Sequence, residues 1–316
     1  MMTNSVLCIG ELLVDFFSME VDVDLNKAQH FEKQAGGAPA NVCAAIVKLG
    51  GRAVFAGKVG NDAFGHFLEQ TLVDAGVGID FLVKDGEVPT TLAFVSRVAG
   101  GERDFLFNRG ADAQFTRADV DETTFIQYKL VHFGSATALL SDPFYSAYTH
   151  FYEQFHAQGS FLSFDPNYRE DLWKGHRTEF IERCQPFLQR AQFVKVSEEE
   201  LEILTGQSSL SVGVARMHDL GVKWLAVTCG EAGTYFSDGD TLVQIPSIKI
   251  VSIDSTGAGD AFVGAMLCQF AQQAEPGAVK QEKLLKMVAF ANRVGAKVCE
   301  KVGAITALPE LADVLE

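Results

Sequence analysis

No Cys-x-x-Cys pair occurs among the six cysteines Cys8, Cys43, Cys184, Cys229, Cys268 and Cys299, and no histidine stands at zinc-finger spacing from any of them. That excludes a finger or ribbon metal site, and thiols so scattered read as reduced. The Walker pattern G-x-x-x-x-G-K-[ST] is missing too, because Val59 follows Lys58. Protein-kinase H-R-D and D-F-G triplets, H-E-x-x-H and G-x-S-x-G are also absent, which excludes those nucleotide, zinc and hydrolase sites. No G-x-G-x-x-G opens the first helix, which argues against a Rossmann oxidoreductase. Positive charge is scarce: 26 Lys and Arg against 41 Asp and Glu leave a net charge of -15. A surface of that sign repels nucleic acid and anionic membrane. It admits a nucleotide, since local N–H groups and Mg²⁺ outweigh diffuse charge at contact distance. The N-terminal apolar run is broken by Glu11 and Asp15 and lacks a basic flank, so neither a signal peptide nor a membrane span is expected. The expected location is cytoplasmic. With no repeat, low-complexity tract or Pro/Ser-rich linker, residues 1–316 read as a single domain.

What is present is an ordinary core-forming composition, 47% hydrophobic and 21% charged, laid out in an alternating β-α rhythm. Residues 6–9 predict a buried strand ending at Gly10, 39–49 a helix begun by Pro39, 53–59 a strand and 64–75 a helix. Residues 90–98 and 103–107 predict a hairpin across 99–102. Strands follow at 130–133, 160–164, 193–196 and 224–228, then two or three short ones within 235–253, and long helices at 257–273 and 280–300. The fold class is α/β, with a mostly parallel sheet flanked by helices.

Asp254-Ser255-Thr256-Gly257-Ala258-Gly259-Asp260 places a Gly-rich turn and a carboxylate at the start of an apolar helix. Bare backbone N–H groups there can approach a phosphate, with the helix dipole in support. Asp260 could then take a proton from a hydroxyl as it attacks a phosphoryl group. Such a turn can also do no more than pack a helix on a strand. A second cluster, Ala35-Gly36-Gly37-Ala38-Pro39-Ala40-Asn41, offers close backbone approach and an amide with both donor and acceptor, as sugar hydroxyls require. Asn41 could equally be a simple cap. Asp15, after the first strand, can accept two hydroxyl hydrogen bonds or be a solvated loop residue.

Residues 36–65 and 254–267 together resemble the two signatures of the PfkB, or ribokinase-like, family of carbohydrate kinases, in the right order and at the right separation. The resemblance implies a ribokinase-like central sheet with a small β lid, here near 16–32 and 91–107. It implies Asp260 as catalytic base, Gly257, Ala258 and Gly259 as the anion hole, and Asp15, Gly36, Gly37 and Asn41 as sugar contacts. Asp165 to Arg169, with Leu172 and Trp173, resembles a segment of fructokinases and 2-keto-3-deoxygluconate kinases, with Arg169 facing substrate or phosphoryl. Arg109 to Asp112 looks like a fructokinase lid exit. On the ATP side, Lys195 to Glu200 matches the family's Asn-x-x-Glu motif with Ser197 in place of Asn, and Glu200 influences Mg²⁺ through water. Thr228 and Gly230 match phosphate contacts and Asn292 an adenine contact. Asp254, Thr256 and Gly303 match a monovalent-cation site, for which K⁺ is the candidate. The expectation is ATP-dependent phosphorylation of fructose to fructose 6-phosphate. Alternatives are 2-keto-3-deoxygluconate, ribose or nucleoside kinases and a catalytically silent sugar-binding member. A homodimer through the lid strands is compatible with the sequence.

Overall fold

The computed structural model describes residues 5–20, 22–97 and 103–315. The hairpin turn expected at 99–102, with Val98, lies outside them. In chain order the strands are β1 (Val6–Ile9), β2 (Leu13–Ser18), β3 (Phe31–Gly36), β4 (Ala53–Gly60), β5 (Gly78–Asp85), β6 (Leu92–Arg97) and β7 (Arg103–Asn108). They continue with β8 (Leu130–Phe133), β9 (Phe161–Phe164), β10 (Phe193–Ser197), β11 (Trp224–Thr228), β12 (Thr234–Ser237) and β13 (Leu242–Ile245). Nine of them form one sheet in the order β13-β12-β11-β10-β9-β8-β1-β4-β5, and four form a second, β3-β2-β6-β7. The large sheet is parallel from β11 through β5, with β12 and β13 antiparallel at one end.

Side-chain alternation along β1 sorts the core. Val6 and Cys8 point to one face, packed by α1 (Ala38–Lys48) and the helices Ala258–Ala271 and Gln281–Val298. Leu7 and Ile9 point to the other, where Phe133 of β8 packs edge to face on Tyr148, Tyr152 and Phe155 of helix Phe144–Ala157, and Phe187 of helix Arg177–Leu188 tilts against Tyr152. Chain order reverses at β1, which pairs with β4 on one side and β8 on the other. Open α/β sheets bind ligands at such a crevice, beyond the carboxyl ends of the strands.

The second sheet is the expected lid, with shifted boundaries. Most of 16–32 is the connection between β2 and β3, tied down by the Glu20 carboxylate accepting from the Gln29 and His30 N–H groups. Asp15 therefore lies on lid strand β2 rather than in a loop. At 246–253 no strand forms after Pro246, which brings no N–H to a ladder, and Val251 and Ile253 remain exposed. Strand β5 escaped the sequence reading because its alternation is only half buried. Among the described residues no helix is long and apolar enough to cross a membrane.

Asp62 joins the two sheets. Its carboxylate caps α2 (Ala63–Asp74) by accepting from the Phe64 and Gly65 N–H groups, and accepts the N–H and hydroxyl of Thr90 at the root of β6. Replacement Asp62→Ala removes all four bonds and is expected to lower unfolding stability by about 1–3 kcal/mol. Urea denaturation should show a lower midpoint at unchanged slope; an unmoved midpoint would refute the role.

Candidate functional site

Beyond the carboxyl ends of β1, β8, β9 and β10, and beneath the lid, lies a cleft of about 420 Å³. Leu13, Asp15 and Phe17 of β2, Ala93 and Val95 of β6, and Phe105 and Phe107 of β7 enter it at the two-residue period of a strand. The opposite wall carries Gly37, Asn41, Arg169, Lys195, Gly257, Gly259 and Asp260. Two roomier surface hollows, about 690 and 660 Å³, contain none of these residues.

Gly257 takes a left-handed φ of 77° to start the helix Ala258–Ala271, and a Cβ there would come within 2.8 Å of Ala304. The Ala258 N–H is engaged by the Ser255 carbonyl at 3.2 Å. The N–H groups of Gly257, Gly259 and Asp260 find no acceptor among the described residues, so the free donors differ by one from the expected triplet. They form the positive end of a 14-residue helix. Asp260 faces the cleft, and its Oδ2 accepts from Asn41 Nδ2 at 2.8 Å. Asn41 Oδ1 is buried and has no partner among the described residues, an acceptor free for a ligand hydroxyl. Desolvation raises the Asp260 carboxyl to about 6 against the lowering pull of Asn41 and Arg169.

Asp15 stands across the cleft. Desolvation raises it to about 7, partly offset by Arg169. A Cβ on Gly36 would sit 2.0 Å from Asp15 Oδ2, so only glycine leaves that carboxylate its place. Arg169 is exposed, anchored by one bond from its guanidinium to the Tyr168 carbonyl at 3.1 Å. Its charge lowers both acids.

Lys195 enters from β10, paired with Asp165 at 3.2 Å and Glu200 at 3.9 Å. Burial alone would lower its pKa, but Asp165, Glu200 and Asp260 outweigh it and the net shift is upward, so the ammonium stays charged. Ser197, in place of the usual Asn, forms a capping box with Glu200: its hydroxyl accepts the Glu200 N–H at 3.1 Å and its N–H donates to Glu200 Oε2 at 2.7 Å. Glu200 Oε1 accepts the Tyr168 N–H at 2.8 Å, so both carboxylate oxygens hold the scaffold around Lys195 and Arg169. Glu200 is buried and does not line the cleft.

Thr228 ends β11 with its hydroxyl on the Val196 carbonyl, and Gly230 follows with open space around it. Asn292 is placed differently from the expectation. Its Oδ1 accepts from Thr234 Oγ1 at 2.6 Å and its Nδ2 donates to the Ile245 carbonyl at 2.9 Å, so its amide ties the last long helix to β12 and β13. Asp254, Thr256 and Gly303 do come together: Asp254 Oδ1 accepts from Thr256 Oγ1 at 2.7 Å, and Oδ2 from the Gly303 N–H at 3.1 Å. Among the described residues no three His, Cys, Asp or Glu gather to cage a metal.

Sequence reasoning gave no role to Glu11, although it lies two residues beyond the end of β1. It is buried at the cleft floor, where desolvation raises it to about 7. Asp165, quoted within its motif, was not recognised as the partner of Lys195.

Residues 3–311 match the model of the pfkB family of carbohydrate kinases. The chain is 40% identical to fructokinase-1 of Oryza sativa subsp. japonica, over 98% of this chain and 96% of that one. Its fold is similar to the fructokinase of Xylella fastidiosa solved with bound ATP, with TM-score 0.89, 32% identity and 99% and 97% coverage. It is also similar to a double mutant of the Vibrio cholerae O395 fructokinase bound to fructose, ADP and potassium ion, with TM-score 0.87, 32% identity and 99% and 97% coverage.

In a ¹³C-carboxyl titration of the ligand-free protein, Asp260 and Asp15 should titrate near about 6 and about 7. Removing the Arg169 cation with Arg169→Ala should move both upward, since a nearby positive charge favours the ionised carboxylate. Two unshifted titrations would show that the guanidinium lies away from both acids.

Proposed function

Because the chain belongs to the pfkB family of carbohydrate kinases, we propose that it transfers the γ-phosphoryl group of ATP to the primary hydroxyl of fructose, giving fructose 6-phosphate. The observation that carries the reading is Asp260, a cleft-facing carboxylate raised to about 6, beside the free N–H groups of Gly257, Gly259 and Asp260 itself. A base of that pKa is ionised at neutral pH and close enough to it to share a proton in flight.

Asp260 takes the hydroxyl proton as the oxygen attacks, and Asn41 holds the carboxylate in line through Oδ2. The N–H groups at the helix start receive the negative charge that spreads over the transferring phosphoryl oxygens. Lys195 and Arg169 add positive charge on the same wall. Asp15, Gly36, Gly37 and the open Asn41 Oδ1 bind and orient the sugar. The aromatic lid residues Phe17, Phe105 and Phe107 exclude water, the competing acceptor. A bound Mg²⁺ would neutralise charge on the phosphates, with Glu200 as its acidic neighbour through water while its carboxylate braces Lys195 and the Tyr168 N–H.

Thr228 and Gly230 are assigned to the nucleotide phosphates. Asn292 is assigned to the adenine side through the strands it braces rather than through its own amide. The knot of Asp254, Thr256 and Gly303 is assigned to a monovalent cation, K⁺. Six free thiols agree with a reducing, cytoplasmic setting, and the open edges of the lid sheet suit a homodimer. Residues 1–316 are read as one working domain. The exposed Arg169 guanidinium favours a second reading, in which the acceptor is a sugar acid such as 2-keto-3-deoxygluconate.

A coupled ADP-release assay over fructose, 2-keto-3-deoxygluconate, ribose and adenosine tests the reading, with fructose expected to give the highest kcat/KM. No sugar-dependent ADP release would overturn it. Asp260→Asn should lose on the order of 10²- to 10⁴-fold in kcat while still binding sugar. Asp15→Ala should raise the KM for fructose far more than that for ATP; equal effects on both would remove Asp15 from the sugar site.

A further inference from the structure

The N-terminus of α1 carries the turn Gly36-Gly37 and Asn41, yet its own N-cap residue offers no side-chain cap. Glu11 replaces it from the β1–β2 connection: its Oε1 accepts the Ala38 N–H at 3.1 Å and the Ala136 N–H at 3.4 Å. Its Oε2 accepts the Ser135 hydroxyl. The Ser135 oxygen in turn accepts the N–H groups of Ala138 at 2.8 Å and Thr137 at 3.2 Å, so the hydroxyl proton is directed to Glu11.

Thr137 extends the chain of bonds toward the lid. Its hydroxyl donates to Asp112 Oδ2 at 2.7 Å, and its carbonyl accepts from the Arg109 guanidinium at 2.8 Å. Asp112 Oδ1 accepts the Thr91 hydroxyl, and Thr91 Oγ1 accepts the Gly110 N–H at 2.8 Å. Thr91 immediately precedes lid strand β6, and Gly110 lies two residues beyond the end of β7. Glu11, Thr91, Asp112, Ser135 and Thr137 are each at most 3% exposed. The Ser135 and Thr91 oxygens accept N–H groups, and the hydroxyls of Ser135, Thr137 and Thr91 each donate to a carboxylate, so each of these protons has one direction.

We propose that Glu11 and Asp112 are positioning residues for the acceptor sugar. Through Ser135 and Thr137 they register the roots of the lid strands against the turn that carries Gly37 and Asn41. The two walls of the sugar cleft are thereby linked by one buried network, separate from the Asp62 anchor at Thr90. This inference rests on the sugar-kinase reading for its kinetic consequence, but its structural consequence does not.

The test is the pair Thr137→Val, which keeps the shape and loses the link, and Thr137→Ser, which restores the hydroxyl. Thr137→Val should raise the KM for fructose about 10-fold or more, the cost of a lost hydrogen bond to a charged group, and leave the KM for ATP within about two-fold. Thr137→Ser should stay near wild type. Glu11→Gln and Asp112→Asn should each raise the fructose KM. Their double variant should fall short of the product of the two effects by at least about three-fold, as residues of one network do. Hydrogen exchange at the backbone amides of β6, measured without sugar, should quicken in Thr137→Val and not in Thr137→Ser. An unchanged fructose KM in Thr137→Val, or fully multiplicative single effects, would overturn the proposal. Should the wild type phosphorylate no sugar, the functional reading falls, and the exchange experiment alone decides whether the lid is registered through this network.

Discussion

The arrangement of the cleft depends on one contact, the hydrogen bond from Asn41 to Asp260, which joins residues 219 positions apart. It exists because α1 and the helix Ala258–Ala271 approach closely on the same face of the sheet. A Cβ on Gly264 would come within 2.6 Å of Ala45, so the small side chains at that crossing set the spacing of the two helices. The helices start side by side at the carboxyl edge of the sheet, one bringing the Gly36-Gly37 turn and the other the N–H groups. The amide and the carboxylate meet between them.

Electrostatics then distinguishes the acids of the cleft from those on the surface. Desolvation lifts Glu11, Asp15 and Asp260 toward neutrality, while an exposed cation, Arg169, pulls the latter two back. Lys195 stays charged because Asp165 and Glu200 flank it, and Glu200 is itself locked by the Ser197 capping box. A chain of net charge -15 thus places its positive groups where a phosphate would lie.

Much of this was legible in the linear pattern. Buried parallel strands such as β1, β8 and β11 announce themselves as short apolar runs, and the turns at 36–41 and 254–260 declare glycines and carboxylates at helix starts. The lid was legible only as a hairpin, because β2 and β3 are half exposed and their boundaries depend on which residues face the cleft. For that reason the pattern did not place Asp15, a hydroxyl acceptor or a solvated loop residue by sequence, on a strand. Asn292 was legible only through the family resemblance, and the pattern gave no hint of its partners, a hydroxyl and carbonyls of β12 and β13.

What the residues determined by themselves was local: the α/β alternation, the helix starts, the Gly-rich turn at 257–259 and the acid beside it, since all of these follow from backbone freedom and side-chain periodicity over a few positions. What only the tertiary structure decided was partnership. That Asn41 holds Asp260, that Glu11 caps a helix to which it does not belong, and that the charge of Arg169 acts on two acids are consequences of crossing connections. They bring distant segments to one edge of a sheet, and hydrogen bonds and charges act through space rather than along the chain.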